Sequence, residues 1–370
     1  MFFYLTNSLI VSEDSPSFTN IYKAIQNIAI QAVNGIHSLT GSFEIIEHCR
    51  SLFQGNPILG SLFNNIYQNY AFAGIPCFLN FYIEVVTDNP TKRNENGKEI
   101  QQIIYSQLEN TGDWTVKLIC EDLNDTIFYK HIMKWYINKL PNGNHVFSAC
   151  HGISGGGCNT YKTVNNELND HQISICIVDT DKKYEGCLPE KDGTYEKCVK
   201  NIVAPPSYYK FIAIPVHEIE NLIPLNYIDA FDIWSNGKKD DKDNKRDFDY
   251  LRLDSEHILP YFDYKKGIKK DDMFDNCLEY REFAHRCYNT NLDFMSRNPD
   301  FEAFVNSVPS KGKIYPHLLG GSGILNRTID LINGDNLPEP SLLGFQEKEW
   351  NKIGQAMLDW CIAKGPESII

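Results

Sequence analysis

The sequence lacks any apolar run of the length that crosses a bilayer, so a helical membrane protein is not expected. It has no excess of positive charge: 35 Lys and Arg stand against 48 Asp and Glu, a net charge of −13. That balance excludes a basic, non-specific nucleic-acid coat. It leaves room for a phosphate site built through metal ions, because a divalent cation inverts the local charge logic. No Gly-Lys is followed by Ser or Thr, since Gly97-Lys98 leads to Glu99, Gly237-Lys238 to Lys239 and Gly312-Lys313 to Ile314. A Walker-type ATPase site is therefore excluded. No Gly-x-Ser-x-Gly elbow occurs, which removes the serine-hydrolase reading. No two of the 11 cysteines have the gap of a zinc knuckle, and the odd count at irregular spacing fits no disulfide framework. Free thiols in a reducing cytoplasm are the expectation. The N-terminus has neither a basic start nor a small-residue cleavage site, so no secretory signal is expected.

What is present reads as three stretches. Residues 1–110 form an expected α+β accessory or oligomerisation region. Ile21, Ile25, Ile28 and Ala32 mark an amphipathic helix there, Phe78–Val86 a strand, and Thr87–Glu99 an exposed loop or hairpin turn. Residues 111–235 change rhythm. Thr115–Cys120, His145–Ala149, Ile173–Val178 and Tyr208–Pro215 are short apolar runs separated by helix-length segments. That alternation predicts βαβ units and a mostly parallel sheet of four strands flanked by helices, an α/β fold. Residues 236–370 are expected to be mainly helical. Within them Asn236–Asp249 reads as a solvated, charged loop, and Asp271–Tyr288 and Glu347–Ala363 as helices.

Acidic residues follow the middle strands. Glu121 comes directly after the first, with Asp125 one helical turn later; Asp179 and Asp181 follow the third; Glu218 and Glu220 follow the fourth. In a parallel sheet the carboxyl ends of the strands share one edge, where ligands bind. Each acid alone is more often a helix cap or turn residue. Their arrival at one edge favours a site for Mg²⁺ or Mn²⁺, because converging carboxylates repel unless cations neutralise them. Glycines 155–157, after the second strand, suit either a tight turn or close approach by a phosphate.

The ordered set resembles the Toprim domain: Glu121 and Asp125, then glycines, then Asp179-Thr180-Asp181. More narrowly, Leu118–Asp125 with Phe128-Tyr129, and later Ile219-Glu220-Asn221-Leu222, resemble the small antiviral Toprim effectors of prokaryotic phage defence, of the OLD and PARIS-effector kind. The resemblance covers the middle stretch. One departure is Asp122, where that family usually has Gly; the extra carboxylate can add a ligand, crowd the site or face solvent. The resemblance implies a metal-dependent nuclease cutting DNA or RNA, acting as a toxic effector restrained until a partner activates it. It implies Glu121 as central carboxylate or proton carrier, Asp125, Asp179 and Asp181 holding one or two ions, and Glu220 completing a second position. Lys182 would meet charge developing on the phosphate. A separate ATPase or sensor protein, and a homo-oligomer, are the protein partners it suggests.

Other readings stand beside it. Asp179-Thr180-Asp181 also superficially resembles the Asp-x-Asp of haloacid-dehalogenase phosphatases, although that motif ends the first strand of its domain and here it ends the third. A catalytically silent sensor or docking module is the alternative from another class. The run from Lys265 to Lys270 is the most basic in the chain and reads first as a solvated patch; His217 reads first as a structural histidine.

Overall fold

The computed structural model describes residues 1–70, 78–109, 114–140, 146–170, 172–203, 209–236, 238–275, 278–319 and 323–364. His145, Tyr208, Cys77, Cys277 and the Gly320-Gly321-Ser322 turn lie outside these residues. No helix among them is long and apolar enough to cross a membrane.

The first stretch holds β1 (Phe2–Leu5), β2 (Ser38–Gly41), β3 (Phe81–Val86), β4 (Lys92–Glu95) and β5 (Lys98–Ile104), in the order β2-β1-β3-β5-β4. Helices α1 (Phe18–Val33), α2 (Phe43–Leu52) and α3 (Pro57–Gln68) form the connections. The pairings β1–β2, β1–β3 and β3–β5 are parallel, and only the edge hairpin β4–β5 is antiparallel. The α+β expectation for this region is therefore corrected to α/β. Its physical reason is that α1 and the α2–α3 pair carry the chain back across the sheet, as parallel pairing requires. The hairpin turns at Asn96 and Gly97, with φ of 51° and 78°, the left-handed pair that a tight two-residue turn demands.

The second sheet carries the acidic edge. It comprises β6 (Val116–Cys120), β8 (Cys150–Ser154), β9 (Ser174–Val178) and β10 (Tyr209–Ala213), all parallel, in the order β10-β9-β6-β8. Helix α4 (Leu123–Asn138) follows β6, α5 (Thr160–Asn169) follows β8 and α6 (Thr194–Asn201) precedes β10. The strands β6 and β9 are buried throughout, as strands covered on both faces must be. The expected second strand at His145–Ala149 is displaced. Val146–Ser148 (β7) instead pairs antiparallel with Ile362–Lys364, and the sheet strand is the less apolar Cys150–Ser154. Gly152 lets α4 press on that strand, since a Cβ there would stand 2.4 Å from Thr126 Oγ1.

The charged run expected as a loop is a helix, Lys239–Leu251. Phe248 and Leu251 bury one end of it, and Lys245 and Arg252 pair with Asp229 and Asp249 at 2.5–3.0 Å. The last long helix, Gly344–Cys361, lies against α4 with Trp350 edge-on to Trp135, centroids 5.1 Å apart. Gly354 permits the close crossing, because a Cβ there would sit 2.5 Å from that of Tyr136. The same helix stacks Trp360 on Phe81 of the first sheet at 4.7 Å, and Asp359 accepts the Asn80 N–H at 2.8 Å. One apolar core joins residues from all three stretches.

Candidate metal centre

The strand registers place the ends of the second sheet side by side: Cys120 is opposite Ser154, Ile119 opposite Cys176, and Ala213 opposite Val178. The residues that follow each strand therefore emerge on one edge. Glu121 is the first of them. Its backbone carbonyl accepts N–H bonds from Gly156 and Gly157 at 3.1 and 3.3 Å, and Gly155 N–H reaches Cys120 O at 2.6 Å. Gly156 and Gly157 have φ of 77° and 59°, which opens the loop toward that carbonyl. The glycines thus serve as a tight turn that fixes Glu121.

Asp122 faces solvent as the N-cap of α4. Its side chain accepts the Asn124 N–H at 2.9 Å, while its own N–H is taken by Asp125 Oδ2 at 2.8 Å. This capping box accounts for the acid where the resembling family has glycine. It also turns Asp125 inward, where it is 8% exposed.

Thr180 anchors the next loop by donating to the carbonyls of Ile214 and Val216 at 2.9 and 3.0 Å. Asp179 N–H donates to Glu121 Oε1 at 3.3 Å, and Thr194, at the start of α6, donates to Glu121 Oε2 at 2.9 Å. Asp181 has φ of 51°, and its N–H bonds His217 O at 2.9 Å. That left-handed turn brings it to the segment beyond β10. There the structure has a 3-10 turn, Ile219–Leu222, closed because Asn221 Oδ1 accepts the Glu218 N–H at 2.8 Å. Asn221 then donates to the carbonyls of Leu259 and Phe262 at 2.6 and 2.9 Å, tying the next segment to the site.

That segment supplies a cation the basic run concealed. Lys265 Nζ lies 2.8 Å from Glu218 Oε2 and 3.4 Å from Glu220 Oε1. The backbone carbonyl of Lys182, the residue expected to face phosphate, lies 3.0 Å from His217 Nδ1. His217 Nε2 stands 3.5 Å from Asp263 Oδ2. Burial disfavours charge on both of these groups, yet their mutual attraction prevails: His217 is shifted up and Asp263 held at about 2. Asp263 and Thr194 are site residues that reading the sequence did not single out, and Lys265 was read only as part of a basic surface run. The pairing signal for Lys265 lies 45 residues and more from its partners, beyond the reach of local pattern.

Electrostatically the edge is strained toward cations. Burial pushes the Glu121 and Asp125 carboxyls up to about 7, opposed in Glu121 by the Thr194 hydroxyl and in Asp125 by the Asp122 N–H. Burial, then Glu121 and Asp125, raise Asp179 well above the carboxylate range. Burial likewise raises Asp181 and Glu220, the latter against the pull of Lys265. Donor atoms of Asp181, His217 and Glu218 lie within 4.8 Å of one another, a cluster that can hold a metal ion. The set differs from the expected Glu121, Asp125, Asp179, Asp181 and Glu220, whose carboxylates share the edge but are partly engaged by backbone and hydroxyl donors. The chemistry of the donors fits a hard divalent ion, and Glu220 Oε2 is buried with no hydrogen-bond partner among the described residues. His217 reaches an ion only by giving up Lys182 O or Asp263.

What fold and site together define is a buried carboxylate centre at the carboxyl edge of a parallel α/β sheet. No protein-family model, curated protein or solved structure matches the chain.

Proposed function

We propose that the protein is a Toprim-type nuclease that hydrolyses phosphodiester bonds of DNA or RNA with Mg²⁺ or Mn²⁺, as a toxic effector in prokaryotic antiviral defence. The observation that carries the reading is the meeting of Glu121, Asp125, Asp179, Asp181, Glu218 and Glu220 on one sheet edge, all buried or partly buried and short of cations. Asp181, Glu218 and His217 would hold one ion, and Asp179 with Asp125 or Glu220 a second. Divalent ions there would activate water and neutralise charge on the scissile phosphate. Glu121, the carboxylate that follows β6 and meets the Asp179 N–H, would carry the proton from that water. Lys265 takes the phosphate-facing role expected of Lys182, because its ammonium is already within the cluster. The net charge of −13 repels a nucleic-acid chain, so a second copy or a partner would have to supply the positive groove.

A phosphatase route through Asp179 finds less support, since the Asp-x-Asp follows β9, the third strand of its sheet in chain order, and not the first. A silent docking module is favoured by one feature, the salt bridges that Lys265 already makes with Glu218 and Glu220. The test is incubation with Mg²⁺ or Mn²⁺ and plasmid, single-stranded DNA and total tRNA, beside Glu121→Gln and Asp179→Asn. Metal-dependent cleavage lost in both variants is the expected result. Metal binding without cleavage, with or without a second copy or candidate partner, would establish the docking module instead.

A further inference from the structure

We propose that a second cleft, on the far part of α4, binds a nucleoside phosphate. The cleft has a volume of about 460 Å³, the size range of small-molecule sites. Its lining includes Lys130, His131, Lys134 and Trp135 from α4, Tyr227, and Glu339 on the opposite wall. Lys130 and Lys134 are one helical turn apart, and like charges at that spacing repel. Neither makes an ion pair among the described residues, in a protein whose acids outnumber its bases. By contrast Lys139 is engaged, 3.7 Å over the Trp135 ring and 3.3 Å from Glu347. Two free ammonium groups beside a cavity provide a phosphate contact.

The rest of the cleft is preformed, with apolar walls that include Ile127, Ile332 and Leu337. Trp135 is fixed edge-on to Trp350, and His131 Nε2 is 3.0 Å from the Tyr227 hydroxyl. Asn226 clamps the opposite wall, donating to Glu339 O at 2.8 Å and accepting the Ser341 N–H at 3.0 Å. Glu339 then sets the orientation: phosphate toward the lysines, and an exocyclic amine of the base toward the carboxylate. A cavity of this size takes one nucleotide and not a duplex. The site shares only α4 with the acidic edge, and its occupancy needs no metal.

Binding is therefore measured with EDTA present, by calorimetry and Trp fluorescence, with AMP, adenosine and inorganic phosphate as probes and an oligonucleotide as competitor. Saturable AMP binding is expected, at least about tenfold tighter than adenosine or phosphate alone, and weakened about tenfold or more in Lys130→Gln/Lys134→Gln. Unchanged melting of that variant keeps the comparison free of misfolding, and Glu339→Ala, which leaves both lysines in place, should also weaken AMP. The proposal is overturned if AMP fails to bind, if phosphate binds as well as AMP, if the double variant binds AMP equally, or if only the oligonucleotide binds. None of these outcomes bears on the nuclease reading, which stands or falls on cleavage with metal.

Discussion

Asp122 shows how one residue separates a cap from a ligand. As the N-cap of α4 it holds a backbone N–H in solvent, so Asp122→Ala should cost about 1 kcal/mol of stability while metal-dependent activity persists. Loss of activity at unchanged melting would make it a ligand instead. His131 gives a second residue-scale prediction. Burial, then Lys134, hold its imidazole down to about 4, against an ordinary 6.5. The unfolded chain takes up a proton near pH 6.5 that the folded protein refuses, so this contribution vanishes above that pH and destabilises progressively as pH falls toward 4. The full difference amounts to about 3 kcal/mol. His131→Gln should therefore flatten the loss between pH 7 and pH 4, read as the difference from the parent in denaturant midpoints; parallel curves would sink the assignment. At this scale the sequence disclosed the acids, because each lies within a few residues of the end of an apolar run. It hid Lys265 and Thr194, whose relevance depends on where distant chain segments return.

At the scale of elements, the turn after β8 controls where Glu121 sits. A Cβ on Gly155 would meet Thr160 Oγ1 at 2.3 Å and Cys120 O at 2.8 Å, the latter a backbone atom that cannot step aside. Gly155→Ala should destabilise by about 1–3 kcal/mol and impair the site by moving Glu121. Gly157→Ala, which meets nothing within 4 Å but needs a φ of 59°, should cost about 1 kcal/mol. Equal effects in thermal unfolding would contradict the crowding argument. Three of the four sheet strands were legible as apolar runs between helix-length segments. Cys150–Ser154 was not, because its two glycine- and histidine-bearing positions mute the apolar signal and the neighbouring run is the more hydrophobic. The 3-10 turn at Ile219–Leu222 escaped for a different reason: it is closed by the Asn221 side chain, not by backbone pattern. Lys239–Leu251 was obscured by charge, with only Phe248, Leu251 and neighbouring buried Asp247 marking its inner face.

Over the whole molecule, the helix Gly344–Cys361 is the common wall of both sheets. Trp350 donates to Leu222 O at 2.8 Å and Gln346 to Ile223 O at 2.8 Å, while Trp360 packs on the first sheet. The sequence divided the chain near 110, where the rhythm of its runs changes, and near 235, where a charged run begins; what sequence could not show is that one late helix closes over both earlier stretches. Thermal unfolding followed by near- and far-UV dichroism should give one coincident transition, and truncation before Gly344 should abolish it. Separate transitions for the two sheets would refute this coupling.

The ties from Asn221 to Leu259 and Phe262, and from Lys265 to Glu218 and Glu220, also order events during synthesis. A ribosome releases Glu121, Asp179 and Asp181 long before Lys265 and the closing helix have left the exit tunnel. The acidic edge therefore gains its lysine and its closing helix only after those later segments have emerged.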